Sequence, residues 1–187
     1  QHKMVQRRCA HAARRALRLS AESTAKIVRG VEIASFSIPL NKPTTTVSAS
    51  MQREGMILKV TLSDGSVGFG ECSPLPGLHR ETLQERRAQL AVVASLLDNV
   101  DVPTNISLLN GAFTSWLESR VGIRTPNGEL FPSVRFAVEA AVANALAASV
   151  GEPLAHIMTG NADTNGVFVN GLVDAATDID AARREAR

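Results

Sequence analysis

The residues with the most chemical promise lie in one short run, Gly68–Leu83, which reads GFGECSPLPGLHRETL. In it, Pro74 and Pro76 flank Leu75, and Gly77 follows. Proline fixes φ and lacks a backbone donor, whereas glycine permits positive φ, so the segment is predicted to be a rigid loop with few backbone hydrogen bonds. A stiff loop between a strand and a helix is typical of a segment that holds a substrate.

A group of closely spaced glycines is the second pattern that could indicate a binding site. Gly65, Gly68 and Gly70 are spaced GxxGxG, which differs from the dinucleotide-binding fingerprint and follows a predicted hairpin instead of opening a helix. We therefore expect these glycines to serve a turn and close packing of a strand.

The ionisable residues offer no complete catalytic set. The four histidines are scattered without the spacing of a metal site, and we expect His79 to be a solvated residue at a helix entry. Glu71 ends a strand beside the proline loop, where a structural hydrogen bond to loop amides is the favoured interpretation. No lysine follows Lys59, so the residues by themselves do not name a reaction.

Composition limits the class of protein. The chain has 187 residues, of which 44% are hydrophobic, enough for one folded domain and part of another. The two cysteines, Cys9 and Cys72, are far apart and form no disulfide framework, which favours a reducing compartment or a chloroplast stroma. No apolar run reaches the roughly 20 residues that span a bilayer, so no membrane span is predicted.

Positive charge is concentrated at the amino end. Residues 1–30 hold eight of the 20 Lys and Arg residues and one acidic residue, Glu22. We interpret this segment as a basic leader or linker, because an Arg-rich, acid-poor stretch is typical of an organelle transit peptide, and a linker after an upstream domain fits at least as well. Nucleic acid is not an expected partner, since no aromatic residue is interleaved with the charges.

A small sheet must position the rigid loop. Val31–Leu40 is predicted as a first strand, and the polar stretch Asn41–Gly55 as a long mobile loop. Alternating apolar residues predict a second strand over Met56–Leu62. Asp64-Gly65 favours a type I′ turn before a third strand over Val67–Cys72.

Two helices are predicted around an irregular region, Val100–Leu130. The first helix covers Arg80–Asn99, with Leu83, Leu90, Ala91, Ala94 and Leu97 on one face. The second begins at Pro132 and ends at Gly151, after which Pro153 prevents its return. Its stripe of small residues consists of Val134, Val138, Ala141, Ala145 and Ala148.

The last part of the chain has a different pattern. Val167–Val173 predicts a buried parallel strand, and Asp178–Arg187 predicts the first turns of a further helix. Three antiparallel strands, then helices, then a strand–helix unit predict an α+β domain followed by the start of a β/α domain. We place the domains at residues 31–160 and 161–187, after the basic segment 1–30.

Three blocks of sequence resemble o-succinylbenzoate synthase, a member of the enolase superfamily, in the order found in that family. They read GFGECSPLPGLHRETLQE (residues 68–85), FPSVRFAVEAAVANAL (Phe131–Leu146) and VNGLV (Val169–Val173). The intervening LLNGAFTSW (Leu108–Trp116) is most like the plant form of the synthase, a module of a multifunctional enzyme of phylloquinone synthesis. The resemblance covers about residues 30–187.

The resemblance implies an enolase-superfamily N-terminal capping domain, of α+β class with three antiparallel strands plus helices, and then the first β/α unit of a truncated (β/α) barrel. The implied reaction is the Mg²⁺-dependent dehydration of 2-succinyl-6-hydroxy-2,4-cyclohexadiene-1-carboxylate. In the family a barrel lysine removes the proton α to the carboxylate, and the metal stabilises the enediolate. In the family, the catalytic lysines and the acidic metal ligands follow the first barrel helix. We therefore assign no catalytic or metal-ligating residue in this chain and expect no dehydratase activity from it alone.

What the resemblance carries over is contact with a small carboxylate substrate. The family loop that covers the substrate matches Ser73, Pro74, Leu75, Pro76 and Gly77. The mobile loop that closes the site matches Asn41–Gly55, in which Arg53 is the best candidate for a carboxylate contact, with a solvated loop charge as the alternative. Asn170, on the first barrel strand, is placed toward the barrel mouth.

Two other readings stay open. The chain fits the cap of another enolase-superfamily enzyme, such as an N-acylamino acid racemase or a dipeptide epimerase, against which the SPLPG sequence argues. It also fits a non-catalytic interaction module that binds partner chains. For the synthase, the implied partners are the missing barrel and other fused synthesis modules, and the implied location is the chloroplast, with the cytoplasm as the alternative.

Overall fold

Three strands form one antiparallel sheet in the order β1-β2-β3. The computed structural model describes residues 25–41, 50–103, 112–120 and 130–159. Its strands are β1 (Val28–Pro39), β2 (Gln52–Leu62) and β3 (Val67–Cys72), and its helices are α1 (Leu83–Leu97), α2 (Ala112–Arg120), α3 (Pro132–Ser149) and α4 (Leu154–Thr159). The predicted α+β arrangement of three antiparallel strands and helices is confirmed, whereas the predicted strand over Val167–Val173, the helix after it and residues 1–24 lie outside the described residues.

The sheet is longer than the sequence pattern predicts. β1 begins at Val28, and β2 begins at Gln52 instead of Met56, so the stretch predicted as a loop up to Gly55 is wrong in its last four residues. The pairing of β1 with β2 extends as far as Pro39 and Gln52, and Arg53 lies opposite Ile38. Polar residues join the strand here because backbone pairing across an exposed sheet end needs no apolar side chain.

One face of the sheet forms the core with α3. Met56, Leu58, Val60 and Leu62 of β2 are all buried, which confirms the predicted alternation. Gly68 and Gly70 bring the backbone of β3 directly against the backbone of α3, which confirms the expected close packing.

The turn between β2 and β3 is not of the predicted type. Gly65 has a φ of 85°, while Asp64 is not in the positive-φ region that a type I′ turn requires. The N–H of Gly65 donates to Leu62 O at 2.9 Å, and Leu62 N–H donates to Ser66 O at 2.8 Å. This is a type I turn followed by glycine in the left-handed conformation.

The Asp64 carboxylate ties this turn to the start of β1. It accepts hydrogen bonds from Lys26 Nζ at 2.6 Å and from Ser66 N–H at 3.0 Å. Burial acts to raise the pKa of Asp64, but these hydrogen bonds outweigh it and lower the pKa to about 2. The ionised carboxylate is therefore favoured in the folded state.

We expect the stability of the domain to depend on this carboxylate in acid. Because the folded-state pKa lies below the unfolded value, the contribution is present above about pH 4 and is lost as pH falls toward 2. Partial exposure limits it to about 1 kcal/mol. Urea unfolding at pH 3 and pH 7 should show a smaller acid-induced loss in Asp64→Asn than in the parent, and equal losses would contradict the assignment.

Helix α1 begins at a capping box instead of at Arg80. The side chain of Thr82 accepts from Glu85 N–H at 3.2 Å, and Thr82 N–H donates to Glu85 Oε2 at 2.7 Å. The helix ends before Asn99, which has a φ of 59°. Its buried face contains Arg86, Leu90, Val93 and Leu97, whereas Ala91 of the predicted apolar face is exposed.

Helix α3 begins at Pro132 as predicted, and Gly151 follows its end with a φ of 67°. Most of its predicted stripe is buried, although Ala148 is exposed. Helices α2 and α4 were not expected from the sequence pattern. Trp116 of α2 donates from its indole Nε1 to Asp101 O at 2.7 Å, and α4 starts directly after Pro153. In the described ranges, no helix combines the length and apolarity needed to cross a membrane.

Candidate functional site

The SPLPG loop (Ser73–Gly77) follows β3 and leads toward α1. Leu75 O accepts from Leu78 N–H at 3.2 Å and from His79 N–H at 3.1 Å. Gly77 has a φ of 80°, and Pro76 precedes it. Proline at the second position and a positive-φ glycine at the third are the signature of a type II turn. The loop therefore contains a turn that suits Pro76 and Gly77, and its rigidity stays a prediction.

The loop has a buried base and an exposed tip. Pro74 is buried and Leu75 is half-buried, while Pro76 and Gly77 are exposed. The next residue, Leu78, has 70% of its surface exposed. An apolar tip on a fixed base can contact a bound molecule or an opposing surface without a large change in the fold.

His79 supports the tip from inside the loop. Its Nδ1 lies 3.0 Å from Leu75 N and 3.3 Å from Leu75 O. The side chain is exposed, as expected for a helix entry, but its ring is used in a contact that sequence reasoning did not predict.

Arg53 reaches the loop from the start of β2. Its Nη1 donates to Pro74 O at 2.6 Å, and its Nη2 donates to Ser73 O at 2.5 Å. The structure thus brings Arg53 together with the SPLPG loop, but from a strand and not from the mobile loop in which it was placed. Its contact with a carboxylate stays a prediction, and Asn170 lies outside the described residues.

A cleft of about 360 Å³ lies between the loop and the beginning of α3. Its lining consists of Glu71, Ser73, His79, Pro132, Ser133 and Phe136. Phe136 has 62% of its surface exposed, so the cleft has one broad apolar wall. Glu71 is the one carboxylate in this lining, and a single carboxylate without a partner does not make an acid–base pair.

The buried thiol of Cys72 lies beside the cleft. Cys72 Sγ lies 3.5 Å from Ser133 Oγ, and burial raises the pKa of the Cys72 thiol. The thiol therefore stays protonated and is a poor nucleophile.

Arg86 of α1 is fully buried, and its Nη2 lies 2.7 Å from Oε1 of Glu81. Its helical position next to exposed residues gave no sequence signal for this burial.

The described residues do not fit a metal centre. Within residues 25–41, 50–103, 112–120 and 130–159, no three His, Cys, Asp or Glu residues form a group that can hold a metal ion. We therefore assign no metal-dependent step to any of these side chains.

The amino-acid sequence is similar to one protein family and to two plant proteins. Residues 28–109 match the protein family described as MenC, N-terminal domain. Protein PHYLLO, chloroplastic, of Arabidopsis thaliana is 35% identical over 157 residues, which cover 79% of this chain and 9% of that protein. L-Ala-D/L-amino acid epimerase of Populus trichocarpa is 31% identical over 144 residues, which cover 76% of this chain and 32% of that protein.

Solved structures share the fold. The dipeptide epimerase from Enterococcus faecalis V583, complexed with Mg and the dipeptide L-Leu-L-Tyr, matches with a TM-score of 0.54 and 16% identity over 68% of this chain and 33% of that chain. This match shows that the described domain shares its fold with part of that epimerase, in agreement with the expected α+β class. The chain spans less than two thirds of the length of each of these relatives.

Proposed function

We propose that this chain supplies the substrate-covering cap of an o-succinylbenzoate synthase, because residues 28–109 match the MenC N-terminal domain family. The observation that carries the proposal is the SPLPG loop, which lies within the matched residues and combines a buried Pro74 with an exposed type II turn. In the proposed enzyme, a lyase, the loop covers a small carboxylate substrate.

The role of the cap is to position and enclose the substrate. Leu75 and the exposed Leu78 offer apolar contact at the loop, and closing an apolar surface over a substrate removes water from the reacting groups. Proton abstraction belongs to barrel residues in this proposal. A bound Mg²⁺ would stabilise negative charge on the substrate carboxylate, and we assign its ligands to the barrel as well.

Location and partners follow from the same family assignment. The Arabidopsis relative is described as chloroplastic, which supports a chloroplast location for this chain. The proposed role in phylloquinone synthesis rests on the sequence blocks that resemble the plant synthase. The proposed partners are a barrel domain, whose start we place in residues 161–187, and other fused synthesis modules. The segment before β1 then serves as a leader or linker. The predicted boundary between residues 1–30 and a cap over residues 31–160 lies inside β1, which begins at Val28.

A dipeptide epimerase is the second candidate. It is favoured by the 31% identity to L-Ala-D/L-amino acid epimerase and by the fold shared with a dipeptide epimerase. The family match over residues 28–109 and the higher identity to PHYLLO favour the synthase instead.

An assay of the full-length protein that contains these residues separates the two candidates. The purified protein is incubated with Mg²⁺ and either the cyclohexadiene carboxylate or an L-Ala-L-amino acid dipeptide in D₂O. We expect formation of o-succinylbenzoate and no α-deuteration of the dipeptide. Deuteration of the dipeptide without dehydration of the cyclohexadiene carboxylate would establish the epimerase. If the protein shows neither of the two activities, both candidates are excluded.

In that protein, we expect loosening of the loop tip to weaken substrate binding. Replacement of both Leu75 and Pro76 by Gly raises the conformational freedom that is lost when the loop covers a ligand. The expected result is a kcat/KM about 5-fold lower, mainly through KM, because about 1 kcal/mol of ordering is added. The melting temperature should change little, since Pro76 is exposed and Leu75 only half-buried.

The matched control is Pro153→Gly, which follows the end of the 18-residue helix α3 opposite to the cleft; the helix itself is roughly 27 Å long. This exposed proline lies outside the proposed site, so its replacement should leave kcat/KM unchanged. Unchanged kinetics in the loop variant, together with a large loss of stability, would show that the loop is a structural element only.

A further inference from the structure

Arg53 joins the start of β2 to the SPLPG loop through its side chain. The guanidinium donates to two consecutive carbonyl oxygens, Ser73 O at 2.5 Å and Pro74 O at 2.6 Å. The side chain is half-buried. Two parallel donors on two neighbouring acceptors fix both the position and the direction of the chain at the base of the loop.

These carbonyls need a donor from outside the loop. The pairing of β2 with β3 ends at Met56 and Cys72, so Ser73 is the first residue beyond the ladder. Pro74 and Pro76 have no N–H, which leaves the loop with few donors of its own. A planar guanidinium can serve two such carbonyls at once, whereas a lysine ammonium offers no matching planar fork.

The start of β2 is packed tightly against the same loop base. A Cβ at Gly55 would lie 2.5 Å from Phe36 Cζ and 2.9 Å from Ser73 Cβ, so there is no room between strand and loop. Ser73 Oγ also donates to Glu54 O at 3.3 Å. The backbone of β2 thus holds Arg53 at a fixed distance from the carbonyls that it contacts.

We propose that Arg53 is a positioning residue: it holds the SPLPG loop in its substrate-binding conformation through the carbonyls of Ser73 and Pro74. In this role it acts on the substrate through the loop and is not the partner of the substrate carboxylate. The loop's task rests on the proposed function, whereas the holding of the loop by Arg53 does not.

Amide hydrogen exchange on the 187-residue chain tests the holding of the loop without any substrate. Arg53→Lys keeps the charge but loses the fork, so we expect the amides of Leu75, Leu78 and His79 to exchange about 10-fold faster, the effect of one lost net hydrogen bond. The amides of the β2–β3 ladder should be unaffected. Exchange in the loop within twofold of the parent would overturn the proposal.

The matched control is Arg29→Lys. Arg29 also makes a side-chain contact, from Nη1 to Asn99 Oδ1 at 2.6 Å, but at the other end of β1. It should leave exchange in the loop unchanged. If Arg53→Lys accelerates exchange throughout the domain, Arg53→Ala with added ethylguanidinium decides: restored slow exchange confined to the loop supports the proposal, and lack of rescue overturns it.

Kinetics of the full-length protein test the link to the substrate. We expect Arg53→Lys to raise KM about 10-fold with kcat within twofold, because only binding through the loop is weakened. A raised KM with unchanged loop exchange would identify a direct substrate contact and overturn the proposal, as would fast loop exchange with normal kinetics. If the parent shows no dehydration, the proposed function fails, and the exchange experiment still decides whether Arg53 holds the loop.

Discussion

Replacement of Gly70 by Ala is expected to destabilise the domain by at least about 3 kcal/mol, near the upper end of overpacking effects. A Cβ at this position would lie 1.9 Å from Ala137 O, 2.7 Å from Ala137 C and 2.9 Å from Ala141 N. All three atoms belong to the backbone of α3, so no side-chain rotation relieves the clash. The helix must move away from β3 and give up contacts in the core.

Urea unfolding of the variant and the parent measures this effect through the free energy of unfolding. Gly30→Ala is the matched control, because a Cβ on Gly30 would meet only Thr61 atoms at 3.6 Å and 3.7 Å, an ordinary contact. That control should be neutral or slightly stabilising, since alanine restricts the unfolded chain. A Gly70→Ala variant within 1 kcal/mol of the parent would mean that α3 does not lie this close to β3.

The sheet could be predicted from sequence because its signals are local. Alternation over Met56–Leu62 identified the buried face of β2, and the glycines of β3 indicated close packing. The start of β2 could not be predicted, because Gln52–Gly55 is polar and its pairing with β1 depends on how far β1 extends. Helix α2 escaped detection for a related reason: Trp116 anchors it by a long-range hydrogen bond to Asp101.

The site could be predicted only in part, because some of its features depend on local backbone preferences and others on contacts between distant elements. Proline and glycine dictate their own backbone angles, so the stiffness of the SPLPG loop is visible in Pro76 and Gly77 themselves. The contacts of Arg53 and the burial of Arg86 depend on which elements meet in space. A charged residue on a helix is normally solvated, so the burial of Arg86 contradicts the usual preference. No sequence pattern predicts it.

The ion pair of Arg86 and Glu81 lies where the chain from the SPLPG loop enters α1. Arg86 has no exposed surface, and the Glu81 side chain is 11% exposed. The 2.7 Å approach of Nη2 to Oε1 departs from the direction of a hydrogen bond, and Nε and Nη1 of Arg86 find no acceptor among the described residues. Glu81 is thus the main compensation for a buried positive charge that is otherwise poorly satisfied.

We expect removal of the Glu81 charge alone to be strongly destabilising. Glu81→Gln keeps the side-chain volume but leaves the Arg86 guanidinium buried without a counter-charge, which costs about 3 kcal/mol or more. The control pair is Lys59–Glu32, with Nζ and Oε1 2.7 Å apart and side chains that are 35% and 67% exposed. Glu32→Gln should cost less than about 1 kcal/mol, because water screens an exposed pair.

A double-mutant cycle then separates the pair from its individual residues. Once Arg86→Met has removed the buried charge, Glu81→Gln should cost little, so the double variant is expected to be more stable than Glu81→Gln alone by about 3 kcal/mol, close to the parent or above it. The reason is that a buried ion pair with unsatisfied donors contributes little net stability, while either charge alone is costly. Urea unfolding of the four proteins measures the coupling; additive effects would show that Glu81 does not compensate the charge of Arg86.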